Sequence, residues 1–338
     1  MEPLQTSEAF MKILMIGGTG IISSAVSDLL LARGHELTLL NRGASVRSVP
    51  AGAEVLVADI REPASVKKAV GDRHFDSVVD WLSFVPQHVQ TALELFEGRT
   101  GQYVYISSAS AYRKPTVALP IVESNLLHNP FWEYSRNKIA CEEMLLDRFR
   151  TKGTPVTVVR PSHTYDKTLF PMDGGWTVVD RMLKGLPVIV HGDGTSLWTL
   201  THHKDFAKGF VGLLGHPYAL GEVFHITGDE WLTWNEIFRL TAQAAGVEAN
   251  VVHVPSDLIA REDPNWGAGL LGDKAHSVVF DNTKIRRLVP DFTCPIPFAQ
   301  GIREVVAWHR ADPKRQAVDK AFVAIYERIL ERMKRAWS

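Results

Sequence analysis

The chain has 338 residues, 45% of them hydrophobic, and its 37 Lys plus Arg nearly balance 38 Asp plus Glu for a formal net charge of -1. Roughly 150 residues per domain predicts two domains, and a chain this long buries a core without disulfides or metal. The charge balance argues against a general nucleic-acid binder or a polybasic membrane-surface protein, and no apolar run approaches the roughly 20 residues of a membrane span.

In chain order, residues 1–10 (MEPLQTSEAF) lack the basic start and apolar stretch of a signal peptide and are expected to be a flexible extension. Residues 12–18 (KILMIGG) form a short apolar run ending in glycines, as a buried parallel strand does. Helical periodicity covers 21–33, with Gly34 as the residue just past the helix end. Further strands are expected at 36–40, 54–59, 76–82, 102–108 and 156–161, separated by helices at 63–70, 86–96 and 134–150. Alternation of this kind predicts an α/β fold, a Rossmann-type doubly wound parallel sheet, over residues 11–168. Residues 169–338 are richer in Pro, Gly and Trp and read as a smaller α+β substrate-binding domain, with some segments returning to the sheet. The tail, 318–337, carries Phe322, Ile325, Ile329 and Met333 on one helical stripe, suited to packing on its own domain or, alternatively, to a partner. The two cysteines, Cys141 and Cys294, do not make a disulfide framework, so a reducing cytoplasm is the expected location.

The first strand runs into Gly17-Gly18-Thr19-Gly20-Ile21-Ile22-Ser23. Glycines at 17 and 20 let the backbone turn sharply and approach a pyrophosphate, while the N–H groups of the following helix, at Ile21 and Ile22, face the anion. An ordinary strand-to-helix turn is the alternative reading. Ser23 takes the third glycine's place, where a small residue allows close helix–sheet packing. The second strand ends in Asn41 and Arg42 rather than in an acid. An acid there would repel a ribose 2′-phosphate, whereas Arg42 can pair with it, so NADP is expected, with NAD held through Asn41 as the alternative. Asp59 and Ile60, after the third strand, are placed for the adenine edge, Asp59 also as a helix cap; Trp81 lies either beside the cofactor or in the core. Ser107 and Pro161, at the ends of the fifth and sixth strands, complete the expected cofactor contacts.

Tyr134 and Lys138 lie four apart at the start of a helix and so share one face. A nearby ammonium is expected to lower the phenol pKa, letting Tyr134 exchange a proton with an alcohol or ketone. Ser107 and Ser108 end the fifth strand, at the carboxyl edge where open sheets bind ligands.

The segments IGGTGIIS, VADI, VYISSASAY and YSRNK, in this order, and the later HGDGTSLWTLTHHKD, GEVFHITGDE and VFDNTKIRRLVPDF resemble the extended short-chain dehydrogenase/reductase superfamily, the NAD-dependent epimerase/dehydratase group. GHELTLLNRG and VFDNTKIRRLVPDF are most similar to the branch containing chloroplast stem-loop-binding proteins. The resemblance implies an NAD(P)-dependent epimerase or ketoreductase acting on a secondary alcohol or ketone of a sugar-like small molecule. It assigns substrate positioning to Ser108, acid/base chemistry to Tyr134, and to Lys138 both the nicotinamide ribose and the tuning of Tyr134. Two departures bear on the reaction. Ser108-Ala109-Ser110 replaces the acidic run of family dehydratases, which disfavours water elimination. Trp198 stands where nucleotide-sugar enzymes carry a pyrophosphate-binding Arg, and His163 where many carry Asn; an indole cannot act as a bidentate phosphate clamp. Ser110, His163, Trp198 and His202 are the candidate substrate residues, and no histidine spacing predicts a metal site. The alternative function is a non-catalytic dinucleotide sensor or RNA-binding protein on the same fold, although the charge makes nucleic acid an unexpected partner. No membrane partner is expected, and a homodimer is left open.

Overall fold

A computed structural model describes residues 10–45 and 47–337. The expected N-terminal extension, apart from Phe10, lies outside the described residues. The apolar runs become strands β1 (Lys12–Ile16), β2 (Glu36–Asn41), β3 (Glu54–Val57), β4 (Ser77–Asp80), β5 (Tyr103–Ile106) and β6 (Val156–Pro161). They alternate with helices α1 (Ile21–Ala32), α2 (Pro63–Val70), α3 (Pro86–Phe96) and α4 (Glu133–Lys152). Gly34, just past α1, has φ +82°, and Gly153 ends α4 at φ +70°, a conformation glycine reaches at little cost.

The second half of the chain contributes β7 (His163–Tyr165), α5 (Trp176–Leu183), β8 (Val188–His191), β9 (Leu197–His202), α6 (His203–Val211), β10 (Val223–Ile226), β11 (Trp231–Thr233), α7 (Trp234–Ala244) and β12 (Val251–Val254). After these come α8 (Ser256–Glu262), α9 (Pro264–Gly269), α10 (Thr283–Leu288), α11 (Phe298–Arg310) and α12 (Lys320–Trp337). Seven strands form one parallel sheet in the order β10-β6-β5-β4-β1-β2-β3. The chain winds outwards from β1 in both directions, so the sheet reverses between β1 and β4, and ligands of open sheets bind at that crevice.

Successive side chains of each strand point to opposite faces. Met15, Val79, Val104, Ile106 and Val159 pack with Phe206 and Phe210 of α6 on one face. Leu14, Val78, Tyr103, Tyr105 and Val158 pack with Leu93 of α3 and with Cys141 and Leu145 of α4 on the other. A separate core gathers β8, α5, α7, α11 and α12, and α12 buries Tyr326 and Ile329 there while Phe322, Ile325 and Met333 are partly buried against it. The tail helix thus packs on its own chain.

Candidate active site

Two cavities lie at the carboxyl edge of the large sheet. The first, about 330 Å3, is lined by Gly17, Asn41, Arg42, Asp59, Ile60 and Arg61, among others. Gly17 and Gly18 have φ of +104° and +100°, where L side chains are strained, and a Cβ on Gly18 would come within 2.5 Å of the Leu39 side chain. The Gly20 N–H donates to Ser23 Oγ at 2.8 Å, so the serine caps the turn as well as packing beneath it. Ile21 and Ile22 open α1, whose first N–H groups have no partner within the helix. At the far end, Asn41 Oδ1 accepts from Gly43 N at 2.8 Å, and the exposed Arg42 guanidinium stands 3.9 Å from Asp59. Trp81 does not line this cavity: its ring packs 5.2 Å from that of Phe210, on the α6 face. It braces the turn from behind, because position 81 shares the strand parity of Val79.

The second cavity, about 260 Å3, lies between β5, the start of α4, β9 and the 273–280 segment; Ser108, Ser110, Tyr134, Pro161, His163 and Trp198 all line it. The Phe84 ring, at the edge of the first cavity, is 6.4 Å from the Tyr134 ring, so the two cavities meet there. Lys138 Nζ lies 4.8 Å above the Phe84 ring and 5.8 Å from the Tyr134 ring. It donates to the carbonyls of Ser83 and Ile106 at 2.8 and 2.7 Å. Burial pushes the Lys138 pKa down to about 8, against the pull of the Asp80 carboxylate. The expected depression of Tyr134 is not found: burial raises its pKa above the ordinary value, opposed by a hydrogen bond with the Ser108 hydroxyl, and Asp273 raises it further. The ammonium spends its hydrogen bonds on two backbone carbonyls rather than on the phenol.

Two candidate residues are turned away. Ser107 Oγ donates to the buried Glu142 carboxylate on α4 and does not face the cleft. His202 does not line the cavity; it caps α6 through Nδ1, packs edge-on against Tyr165 and lies 3.4 Å from Glu304. Of the expected trio, Ser108 lines the second cavity and ends a hydroxyl chain: Ser135 Oγ donates to Ser110 Oγ at 2.7 Å, and the hydroxyls of Ser110 and Ser108 are 2.9 Å apart.

Beneath the site, Asp80 accepts from Leu82 N and Ser83 N at 2.9 Å and from Ser83 Oγ and Tyr103 Oη at 2.5 Å. This holds the Ser83 carbonyl against Lys138. Arg160, 3% exposed, forks onto Glu142, 1% exposed, with Nη2 to Oε2 at 2.5 Å. Tyr134, Lys138 and Glu142 are spaced four apart, so one stripe of α4 carries the phenol, the ammonium and the anchor for Ser107 and Arg160.

Several lining residues were not anticipated. Arg61 follows directly on the Asp59-Ile60 pair and places a second guanidinium in the first cavity. Trp132, two residues before Tyr134, walls the second cavity. Asp273 and Lys274 reach it from more than a hundred residues away, and nothing local signals them. Asp273 is 3.2 Å from the buried ammonium of Lys114. Among the described residues, no group of three His, Cys, Asp or Glu side chains is placed to hold a metal ion, and no helix is long and apolar enough to cross a membrane.

Residues 13–227, more than half of the chain, match the NAD dependent epimerase/dehydratase family. The chain belongs to that family. Within this extended short-chain dehydrogenase/reductase group it is 29% identical over 256 residues to the chloroplast stem-loop binding protein of 41 kDa b from Arabidopsis thaliana, a match covering 72% of this chain and 65% of that protein. It is 26% identical over 293 residues to the 2'-dehydrokanamycin reductase of Streptomyces kanamyceticus, covering 84% of this chain and 81% of that one. The fold is that of the UDP-glucose 4-epimerase of Thermotoga maritima, with a TM-score of 0.73 at 20% identity over 89% of this chain and 99% of the other.

Proposed function

We propose that this chain is an NAD(P)-dependent ketoreductase or epimerase acting on a secondary alcohol or ketone of a sugar-like molecule. The observation that carries the reading is that Ser108 and Tyr134 line the second cavity together, with the Lys138 ammonium 5.8 Å from the Tyr134 ring. The first cavity fits a dinucleotide: a glycine turn whose backbone excludes side chains, a helix N-terminus for the pyrophosphate, and Arg42 and Arg61 at the adenosine end. The bound nicotinamide supplies or accepts a hydride. Lys138 is the residue for the nicotinamide ribose. Ser108 orients the substrate oxygen, and Tyr134 passes a proton to or from it. A phenol that burial keeps protonated at neutral pH can donate its proton to the nascent alkoxide in the reductive direction. The similarity to a protein named 2'-dehydrokanamycin reductase supports the same direction. The direct test is NAD(P)H oxidation by purified protein with a panel of cyclic keto-sugars.

NADP(H) is the proposed cofactor, because Arg42 and Arg61 outweigh the single Asp59 carboxylate in the first cavity. Similar folds solved with NAD make NAD(H) the alternative. Arg42→Ala should weaken NADP(H) binding roughly 10- to 100-fold, the span of a charge-assisted hydrogen bond, and leave NAD(H) almost unchanged. Titration of both dinucleotides checks this, and a clear preference of the parent protein for NAD(H) would defeat it.

The pH profile should carry a basic limb. Lys138 is charged below its depressed pKa of about 8 and neutral above it, so dinucleotide affinity and turnover should decline as pH rises through that value. Lys138→Arg, charged throughout this range, should remove the limb whatever its effect on the plateau. Water elimination is not expected: Asp273, the one carboxylate lining the second cavity among the described residues, is tied to Lys114. Incubation with dTDP-glucose should therefore yield no 4-keto-6-deoxy product.

The name of the plant relative favours a second reading, binding of a nucleic-acid stem-loop. A net charge of -1 offers it little, and a gel-shift assay with a stem-loop RNA should show no salt-sensitive complex.

A further inference from the structure

Resting on the reading above, we infer that the second cavity takes a single free, non-anionic sugar-like ring and not a nucleoside diphosphate sugar. Size is the first observation. At about 260 Å3 the cavity holds one sugar-like ring beside Tyr134, and the exclusion of a nucleoside diphosphate rests on its charge. Charge is the second. A diphosphate calls for guanidinium groups or unpaired ammonium groups, and among the described residues no arginine lines this cavity. Lys274, the one cation among the described residues that line it, is 3.9 Å from Asp173, and the buried Lys114 behind the wall is 3.2 Å from Asp273. The Asp273–Lys114 pair adds no net positive charge to the wall. His163 adds no charge, since burial pushes its pKa down to about 3.

The lining suits a neutral ring instead. Trp132, Trp198 and Phe280 offer apolar faces to ring C–H groups. The hydroxyls of Ser108, Ser110, Ser162 and Thr199 stand among them. Ser162 is already paired with Thr201 at 2.7 Å and Thr199 donates to the Val278 carbonyl at 3.0 Å, so both are held in place and keep acceptor capacity for ring hydroxyls. The indole N–H of Trp198 and Nε2 of His163 have no hydrogen-bond partner among the described residues.

The experiment uses the NADP-loaded protein, so that uridine nucleotides cannot occupy the first cavity. UDP and UDP-glucose should neither raise its melting temperature nor bind by calorimetry. With NADPH, scyllo-inosose and a free keto-hexose should be reduced, and UDP-4-keto-glucose should not. Trp198→Arg, which places a guanidinium in the wall, should raise UDP affinity roughly tenfold or more, as a charge-assisted hydrogen bond does. Saturable binding of UDP to the loaded parent, or reduction of UDP-4-keto-glucose in preference to the free rings, overturns the inference and leaves the oxidoreductase reading intact. Reduction that persists undiminished in Tyr134→Phe overturns that reading instead.

Discussion

Tyr134→Phe should lower turnover by about 100- to 10,000-fold, the usual worth of a positioned acid or base, while the protein folds and binds dinucleotide as before. The substitution keeps the ring and removes only the hydroxyl. That ring is held by Trp132, 5.0 Å away, and by Phe84, 6.4 Å away, and neither contact depends on the oxygen. Tyr134 lines the second cavity together with Ser108. Steady-state kinetics on a reduced keto-sugar, with calorimetric titration of NADP(H), separates the two effects. Unchanged turnover would remove Tyr134 from the chemistry, and a parallel loss of dinucleotide affinity would make its role structural.

Arg160→Met should destabilise the fold by about 3–5 kcal/mol, because it leaves the Glu142 carboxylate buried without its partner. Both side chains are almost wholly enclosed, and three hydrogen bonds join them, from Nε to both carboxylate oxygens and from Nη2 to Oε2. The pair also anchors the Ser107 hydroxyl and places the Arg160 guanidinium 4.7 Å over the Tyr112 ring. Adding Glu142→Leu should restore most of the loss, since an apolar pair of similar volume does not suffer the desolvation that the lone carboxylate does. Urea unfolding of the parent, the single variant and the double variant measures the sequence of effects. A double variant less stable than the single one would show that the carboxylate has other partners of equal weight.

The parts of this protein that are legible without coordinates are those governed by local periodicity and by backbone chemistry. Alternating apolar runs and helical stripes specify the six strands of the first half and α1 to α4, because burial on both faces of a parallel sheet leaves a pattern in contiguous residues. Gly17 and Gly18 are legible because a sharp turn after a strand needs φ values that only glycine adopts freely. Tyr134 and Lys138 are legible because a spacing of four can mean only one helix face.

What tertiary structure alone decided is direction and long-range company. Ser107 shares the strand parity of Tyr103 and Tyr105, so it faces α4 and meets Glu142, whereas Ser108 on the opposite parity reaches the cleft. Parity was available in the sequence, but which face carries α4 was not. The raised pKa of Tyr134 required knowing that the phenol is buried and that Asp273 comes near it from a distant segment. Asp273, Lys274 and Phe280 join the cavity across more than a hundred residues, through packing of the second-half elements that has no period to read. Residue type and spacing therefore determined the fold class and the candidate chemistry. The size and charge of the second cavity were decided only when distant segments closed around it, since both depend on which side chains neutralise one another in space.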